Sequence, residues 1–259
     1  MRIIGCVNQK GGVGKTTVCV NLAAAFRAKG LRVLAIDLDP QAHLSQSLGI
    51  FDPPTLSLDS ALQGDCTLSE ACIEVENGLQ LVAAGQHLFR LESVQMKKGR
   101  GLRLKSLLQP LSGEFDIVMI DCPPSNGFLV VNGIAASTEL LVPVTADYLG
   151  LSGLSAMLKQ LQRYERVLGR FERKWVVINR YQSRKICRQA RTRLQHYLGE
   201  RLLPLVVQER AVLAECPGHG QSVFGYAPKS QSCDVFRRLA KTMLQVQEEA
   251  DEQEQARCA

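Results

Sequence analysis

The chain predicts an α/β domain, a mostly parallel β-sheet flanked by helices on both faces. Three observations lead there. Short β-branched runs alternate with longer helix-like segments from end to end. The runs are rich in Val, Ile or Leu, as strands buried on both faces are. With 259 residues, 46% of them hydrophobic, the chain can bury one sizeable core without disulfides or metals.

The clearest strands are read at Arg2 to Val7, Leu31 to Asp37, Phe115 to Asp121, Glu139 to Val144 and Lys174 to Asn179. Helices are read at Lys15 to Lys29, stopped by Gly30, and at Leu102 to Leu108, Leu151 to Leu168, Arg188 to Leu198 and Cys233 to Gln247. No repeat or low-complexity linker interrupts the pattern, so residues 1–247 are expected to form one domain. From Glu248 to Ala259 five acids and one Arg stand among almost no large apolar residues, and this acidic tail is expected to fray or stay disordered.

Composition excludes several classes. The nine cysteines are scattered, with no two-residue gap of the zinc-ribbon or redox type, which reads as reduced cytosolic thiols. No stretch of eighteen apolar residues is uninterrupted, so no membrane span is expected. Met1 to Asn8 run straight into a glycine-rich loop and leave no room for a secretory leader. The formal charge of +6 is unevenly spread: Lys159 to Arg210 carry fourteen Lys or Arg against four acids.

After the first strand comes Gln9-Lys10-Gly11-Gly12-Val13-Gly14-Lys15-Thr16-Thr17, followed at once by an apolar helix. Strand, loop and helix in that order are the context of a phosphate-binding P-loop. Gly11, Gly12 and Gly14 let the backbone curl so that successive N–H groups, Val13's among them, point inward at phosphate oxygens. The helix beginning near Lys15 adds its positive end. Lys15 is expected to reach the β and γ phosphates, Thr16 to complete a Mg²⁺ shell that keeps several waters, and Thr17 to touch the α phosphate. The second strand ends in Asp37-Leu38-Asp39-Pro40-Gln41, with both carboxylates at the carboxyl end, where α/β sheets present ligands. Asp121 ends a further strand before Cys122-Pro123-Pro124-Ser125.

Lys10 to Thr17 match the K-G-G-x-G-K-[ST]-T signature at every position, and on it the chain resembles the deviant Walker A family of ParA, Soj and MinD ATPases. The resemblance covers nearly the whole chain. It implies an ATP hydrolase using ATP and Mg²⁺, in which Lys10 crosses a dimer interface to the nucleotide of the opposite subunit. It also implies that Asp39 orients or activates the attacking water, that Asp37 supports Mg²⁺ or its waters, and that Asp121, in a D-x-P-P element, holds a magnesium-bound water. Asn179, at a strand end, matches the position where related ATPases hydrogen-bond adenine.

The basic stretch places Arg184, Lys185, Arg188 and Arg191 in and before a helix, with Leu194, Tyr197 and Leu198 able to face the core. Arginines on one surface give sequence-independent, salt-sensitive DNA affinity. Leu213 to Gly220 resemble the family's L-x-E-A-P-S-[FH]-G segment, with two departures: Val212 and Gln221 stand where the family has Arg and Lys. DNA affinity is then weaker, or carried by Arg210 instead. The reading is an ATPase that dimerises with ATP, binds nucleoid DNA non-specifically and positions a plasmid, chromosome or protein cargo, with an adaptor protein stimulating hydrolysis. A first strand at Arg2 leaves no expectation of sequence-specific operator binding. A MinD-like membrane ATPase is the alternative, disfavoured by the acidic tail, and a non-hydrolysing scaffold is another, disfavoured by Lys10, Asp39 and Asp121. An iron–sulfur protein is disfavoured because Cys122 adjoins Asp121.

Overall fold

The computed structural model describes residues 1–92 and 100–258. Eight strands form one sheet: β1 (Arg2–Cys6), β2 (Val33–Asp37), β3 (Cys72–Glu74), β4 (Gln80–Val82), β5 (Ile117–Asp121), β6 (Glu139–Thr145), β7 (Arg173–Tyr181) and β8 (Leu202–Gln208). Their order across the sheet is β3-β4-β2-β5-β1-β6-β7-β8. Among the described strands only β3 runs antiparallel, against β4.

The five strands read from sequence, β1, β2, β5, β6 and β7, were legible because their residues are largely buried on both sides. Alternate residues feed two separate cores: Leu34, Ile36, Val118 and Ile120 face one side, while Val33, Ala35, Ile117 and Met119 face the other. The first core is covered by helices Arg103–Leu108, Phe128–Ala136, Tyr148–Leu168 and Lys185–Leu198. The second lies under Lys15–Arg27 and the closing helix Gln231–Cys258, through Phe26, Phe236, Leu239 and Met243.

Three differences from the sequence reading have physical reasons. Helix Phe128–Ala136 (FLVVNGIAA) was missed because it is apolar nearly all round and buried, so no 3.6-residue stripe marks it. Strand β8 contains Pro204 and pairs irregularly with β7; at the sheet edge a missing N–H is tolerated. The closing helix continues through residues 248–258, the stretch read as a frayed tail, which is rich in the strong helix formers Glu, Gln and Ala. Ala259 lies outside the described residues.

Register fixes what meets at the carboxyl end. Cys6 pairs with Asp121 and Asp121 with Asp37, so β1, β5 and β2 end in line. Thr145 pairs with Asn179 on β6 and β7. At the opposite end the sheet is fastened by a buried ion pair: Arg2 Nε donates to Glu139 Oε1 at 2.6 Å, and Arg2 Nη2 to Oε2 at 3.0 Å. Trp175 Nε1 donates to the same carboxylate at 2.6 Å. Removing one partner of such a pair strands the other charge in the core. Glu139→Ala is therefore expected to lower unfolding stability by roughly 3–5 kcal/mol in urea denaturation. An unchanged midpoint would contradict this account of the lower sheet.

Candidate functional site

The loop between β1 and helix Lys15–Arg27 is shaped by its glycines. Gly12 and Gly14 have φ of 74° and 82°, left-handed values that L side chains rarely adopt. A Cβ on Gly14 would also sit 2.1 Å from Asn179 Nδ2. Asn8 sets the entry: its Nδ2 donates to Pro143 O at 2.8 Å, and its Oδ1 accepts the Lys10 N–H at 3.0 Å. Lys15 is buried at the helix start.

Thr16 Oγ1 donates to Asp121 Oδ2 at 2.6 Å. The other oxygen of Asp121, Oδ1, is buried without a hydrogen-bond partner among the described residues. Asp37 lies beside it, its Oδ2 accepting from Ser45 N at 2.8 Å and Ser45 Oγ at 2.7 Å, its Oδ1 from Asp39 N at 3.2 Å. Asp39 is buried too, and its Oδ1 accepts the Gln41 N–H at 3.0 Å. Burial pushes the Asp37 carboxyl up to about 6 against the hydrogen bonds from Ser45. Burial, and then the neighbouring Asp37, push Asp121 well above the ordinary carboxylate range, opposed by the Thr16 hydrogen bond and the charge of Lys15. Two buried carboxyls side by side, one with an unused oxygen, below a glycine-rich loop at a helix start form a site suited to a hard cation and phosphates.

Two cavities open on either side of Arg180. One, of about 410 Å³, is lined by Lys10, Gly12, Val13, Asp147, Arg180 and Arg184, among others. The second, of about 380 Å³, is lined by Gly14, Thr17, Asn179, Arg180, Arg210 and Leu213, among others. Lys10 is half-exposed, its Nζ 3.6 Å from Asp147 Oδ1. Asn179 is buried, its Nδ2 donating to Val13 O at 2.8 Å.

A sequence profile of the AAA domain matches residues 1–170. The chromosome partitioning protein ParA of Myxococcus xanthus is 33% identical over 248 residues, 94% of this chain and 88% of the relative. The chain belongs to the ParA/Soj family of partition ATPases. The sporulation initiation inhibitor protein Soj of Bacillus subtilis is 31% identical over 245 residues, 93% of this chain and 97% of its own. Among solved structures, the cobyrinic acid a,c-diamide synthase of Mycobacterium smegmatis, crystallised with an ATP analogue and magnesium, is 30% identical. It matches with a TM-score of 0.81 over 94% of both chains.

In this ParA/Soj chain the residues read from sequence as phosphate and metal ligands, Lys10 to Thr17, Asp37 and Asp121, and the acid expected to orient the water, Asp39, come together at the carboxyl ends of β1, β2 and β5. Arg184 caps helix Lys185–Leu198, and Arg184, Lys185, Arg188 and Arg191 are all exposed. Arg188 donates to Ser183 O at 3.0 Å and Arg191 to Pro204 O at 3.2 Å. Leu194 and Leu198 face the core, but Tyr197 is 69% exposed, on the outer side of the helix. Arg210 lies elsewhere, at the rim of the second cavity, donating to Gln208 at 2.6 Å and Gln231 at 2.7 Å. Sequence reasoning missed Ser45, Asp147, Arg180 and Glu209. Ser45 and Asp147 carry no motif, and Arg180 and Glu209 are drawn together only by the pairing of β7 with β8. Among the described residues no helix is long and apolar enough to cross a membrane. Cys122 is fully buried, and burial pushes its thiol up.

Because the folded Asp37 and Asp121 carboxyls sit above the 3.8 of an unperturbed Asp, the native chain binds more protons than the unfolded one from that value upward, through about 6 for Asp37. Their contribution to stability is present at low pH and falls as pH rises through that window. Asp121→Asn is therefore expected to raise the melting temperature of the nucleotide-free chain at about pH 7.5, and to do less at about pH 4.5. Scanning fluorimetry reads both, and a variant no more stable than wild type at the higher pH would contradict the assignment.

Proposed function

We propose that the chain is a nucleotide-switched positioning ATPase, formed by residues 1–247, that binds ATP with Mg²⁺, dimerises, grips DNA without sequence preference and lets go on hydrolysis. The observation that carries it is the Thr16–Asp121 hydrogen bond at 2.6 Å with the second Asp121 oxygen unpartnered, set beside Asp37 beneath the glycine loop.

In this reading the backbone N–H groups of Gly11 to Thr16 hold the phosphates, and Lys15 reaches the β and γ oxygens. Thr16 and Asp121 would hold the Mg²⁺ or its waters, with Asp37 supporting from behind, anchored by Ser45. An ion held there would supply positive charge against the negative charge that develops on the phosphates during transfer. Asp39 orients the attacking water and takes its proton. Thr17 and Asn179 face the second cavity, whose size and position fit the nucleoside. Lys10, half-exposed on the rim and loosely paired with Asp147, would reach across to a second subunit's phosphates.

Non-specific DNA contact falls to Arg184, Lys185, Arg188 and Arg191, which are exposed on one end and flank of a helix beside the first cavity. Arg210, tied to two glutamines at the cavity rim, contributes as an edge contact. An adaptor protein would stimulate hydrolysis, and a cargo would be positioned as dimers bind and release DNA.

Asp39→Ala is expected to cut phosphate release by on the order of 10²–10⁴-fold and to accumulate an ATP-bound dimer in size-exclusion chromatography. A variant that stays monomeric with ATP, or hydrolyses at the wild-type rate, would sink the role. Arg184→Glu with Arg188→Glu should weaken DNA retention and lower the salt slope by about 1 per lost contact, leaving ATP affinity unchanged. Wild-type retention at moderate salt would refute the DNA surface.

A further inference from the structure

The geometry points to Arg180 as a positioning residue that pre-forms the phosphate cradle from outside, an inference that rests on the nucleotide reading above. Successive side chains of a strand point to opposite faces, so Asn179 and Arg180 should not both reach the same loop. They do so because Arg180 leaves the extended conformation: its φ is 51°, one of three positive values among described non-glycine residues. Asn179 Nδ2 then donates to Val13 O at 2.8 Å, and Arg180 Nη1 donates to Gly12 O at 3.1 Å.

Those two bonds fix consecutive peptide planes of the loop. In a trans peptide the carbonyl and the following N–H point in opposite directions. A Gly12 carbonyl held outward therefore turns the Val13 N–H inward, and a Val13 carbonyl held outward does the same for Gly14. Inward N–H groups are what phosphate oxygens need, and holding them before the ligand arrives removes an ordering cost from binding.

Arg180 is itself held. Its Nε and Nη2 donate to Glu209 Oε1 at 3.1 and 2.7 Å, and Gln182 Nε2 donates to the second Glu209 oxygen. The Glu209 N–H returns to Tyr181 O at 3.1 Å, closing the ends of β7 and β8 into one unit. The Arg180 and Glu209 side chains are 53% and 37% exposed. An ion pair so exposed adds little to fold stability, whereas an arginine at positive φ carries a strain. The return on that strain lies in the loop rather than in the fold. Arg180 also borders both cavities, so the loop carbonyl it holds lies between the rim of Lys10 and the pocket of Asn179.

Arg180→Gly tests this, because glycine adopts the positive φ without strain while removing the guanidinium. The measurements are calorimetric affinity for a non-hydrolysable ATP analogue with Mg²⁺, affinity for adenosine, and the nucleotide-free melting temperature. The expected result is analogue binding about tenfold weaker, adenosine binding unchanged, and a melting temperature equal to or above wild type. Arg180→Lys, which restores one donor, should recover part of the affinity. Wild-type analogue affinity in Arg180→Gly, an equal loss for adenosine, or a melting temperature that falls in step with affinity would overturn the assignment. A wild-type chain that failed to bind the analogue would overturn the nucleotide reading itself, which these variant comparisons keep separate.

Discussion

One strand-to-helix turn, shaped by its glycines and by bonds to its carbonyls, is the constraint on which the rest of the carboxyl end depends. Such a turn is held where its carbonyls find partners. Gly12 and Gly14 supply the left-handed conformations, Asn8 pins the entry, and Asn179 and Arg180 bind the carbonyls of Val13 and Gly12. The sheet order explains why β7 can do this. With β6 between β1 and β7, the end of β7 arrives on the flank of the loop, whereas β5 and β2 arrive beneath it.

Beneath the loop the balance is electrostatic. Asp37 and Asp121 end neighbouring strands in register and are fully buried; burial raises the cost of ionising both, and the charge of Asp37 raises it further for Asp121. Ser45 offsets part of this for Asp37. Asp121 has only Thr16 on one oxygen and nothing on the other among the described residues. The protein thus holds negative charge that its own side chains leave under-compensated, at the point where the loop's N–H groups and Lys15 supply positive charge. A cation between carboxylates and phosphates satisfies both halves at once.

Much of this was legible in the sequence because its signals are local. Strand, glycines, Lys15 and Thr16 follow one another without a gap, and Asp37 and Asp121 each end a run of buried β-branched residues. The rest was not legible because it is non-local. Arg180 meets Gly12 across 168 positions and Glu209 across 29. Nothing local marks Asp147 or Ser45; the fold brings them to Lys10 and Asp37. Helix Phe128–Ala136 was hidden by its own burial, since an element apolar on every face shows no period. Tyr197 was misplaced for the converse reason: a large ring beside Leu194 and Leu198 suits the core by composition, yet it falls on the outer side of the helix turn.

The central claim is that the loop and the buried carboxylates form one site for a magnesium-bound triphosphate. Isothermal titration of a non-hydrolysable ATP analogue, run with Mg²⁺ and again in a chelator, tests it most directly. The account predicts one saturable site per chain that weakens markedly without Mg²⁺ and vanishes in Lys15→Ala. Binding indifferent to both the metal and the lysine, or no binding at all, would contradict it.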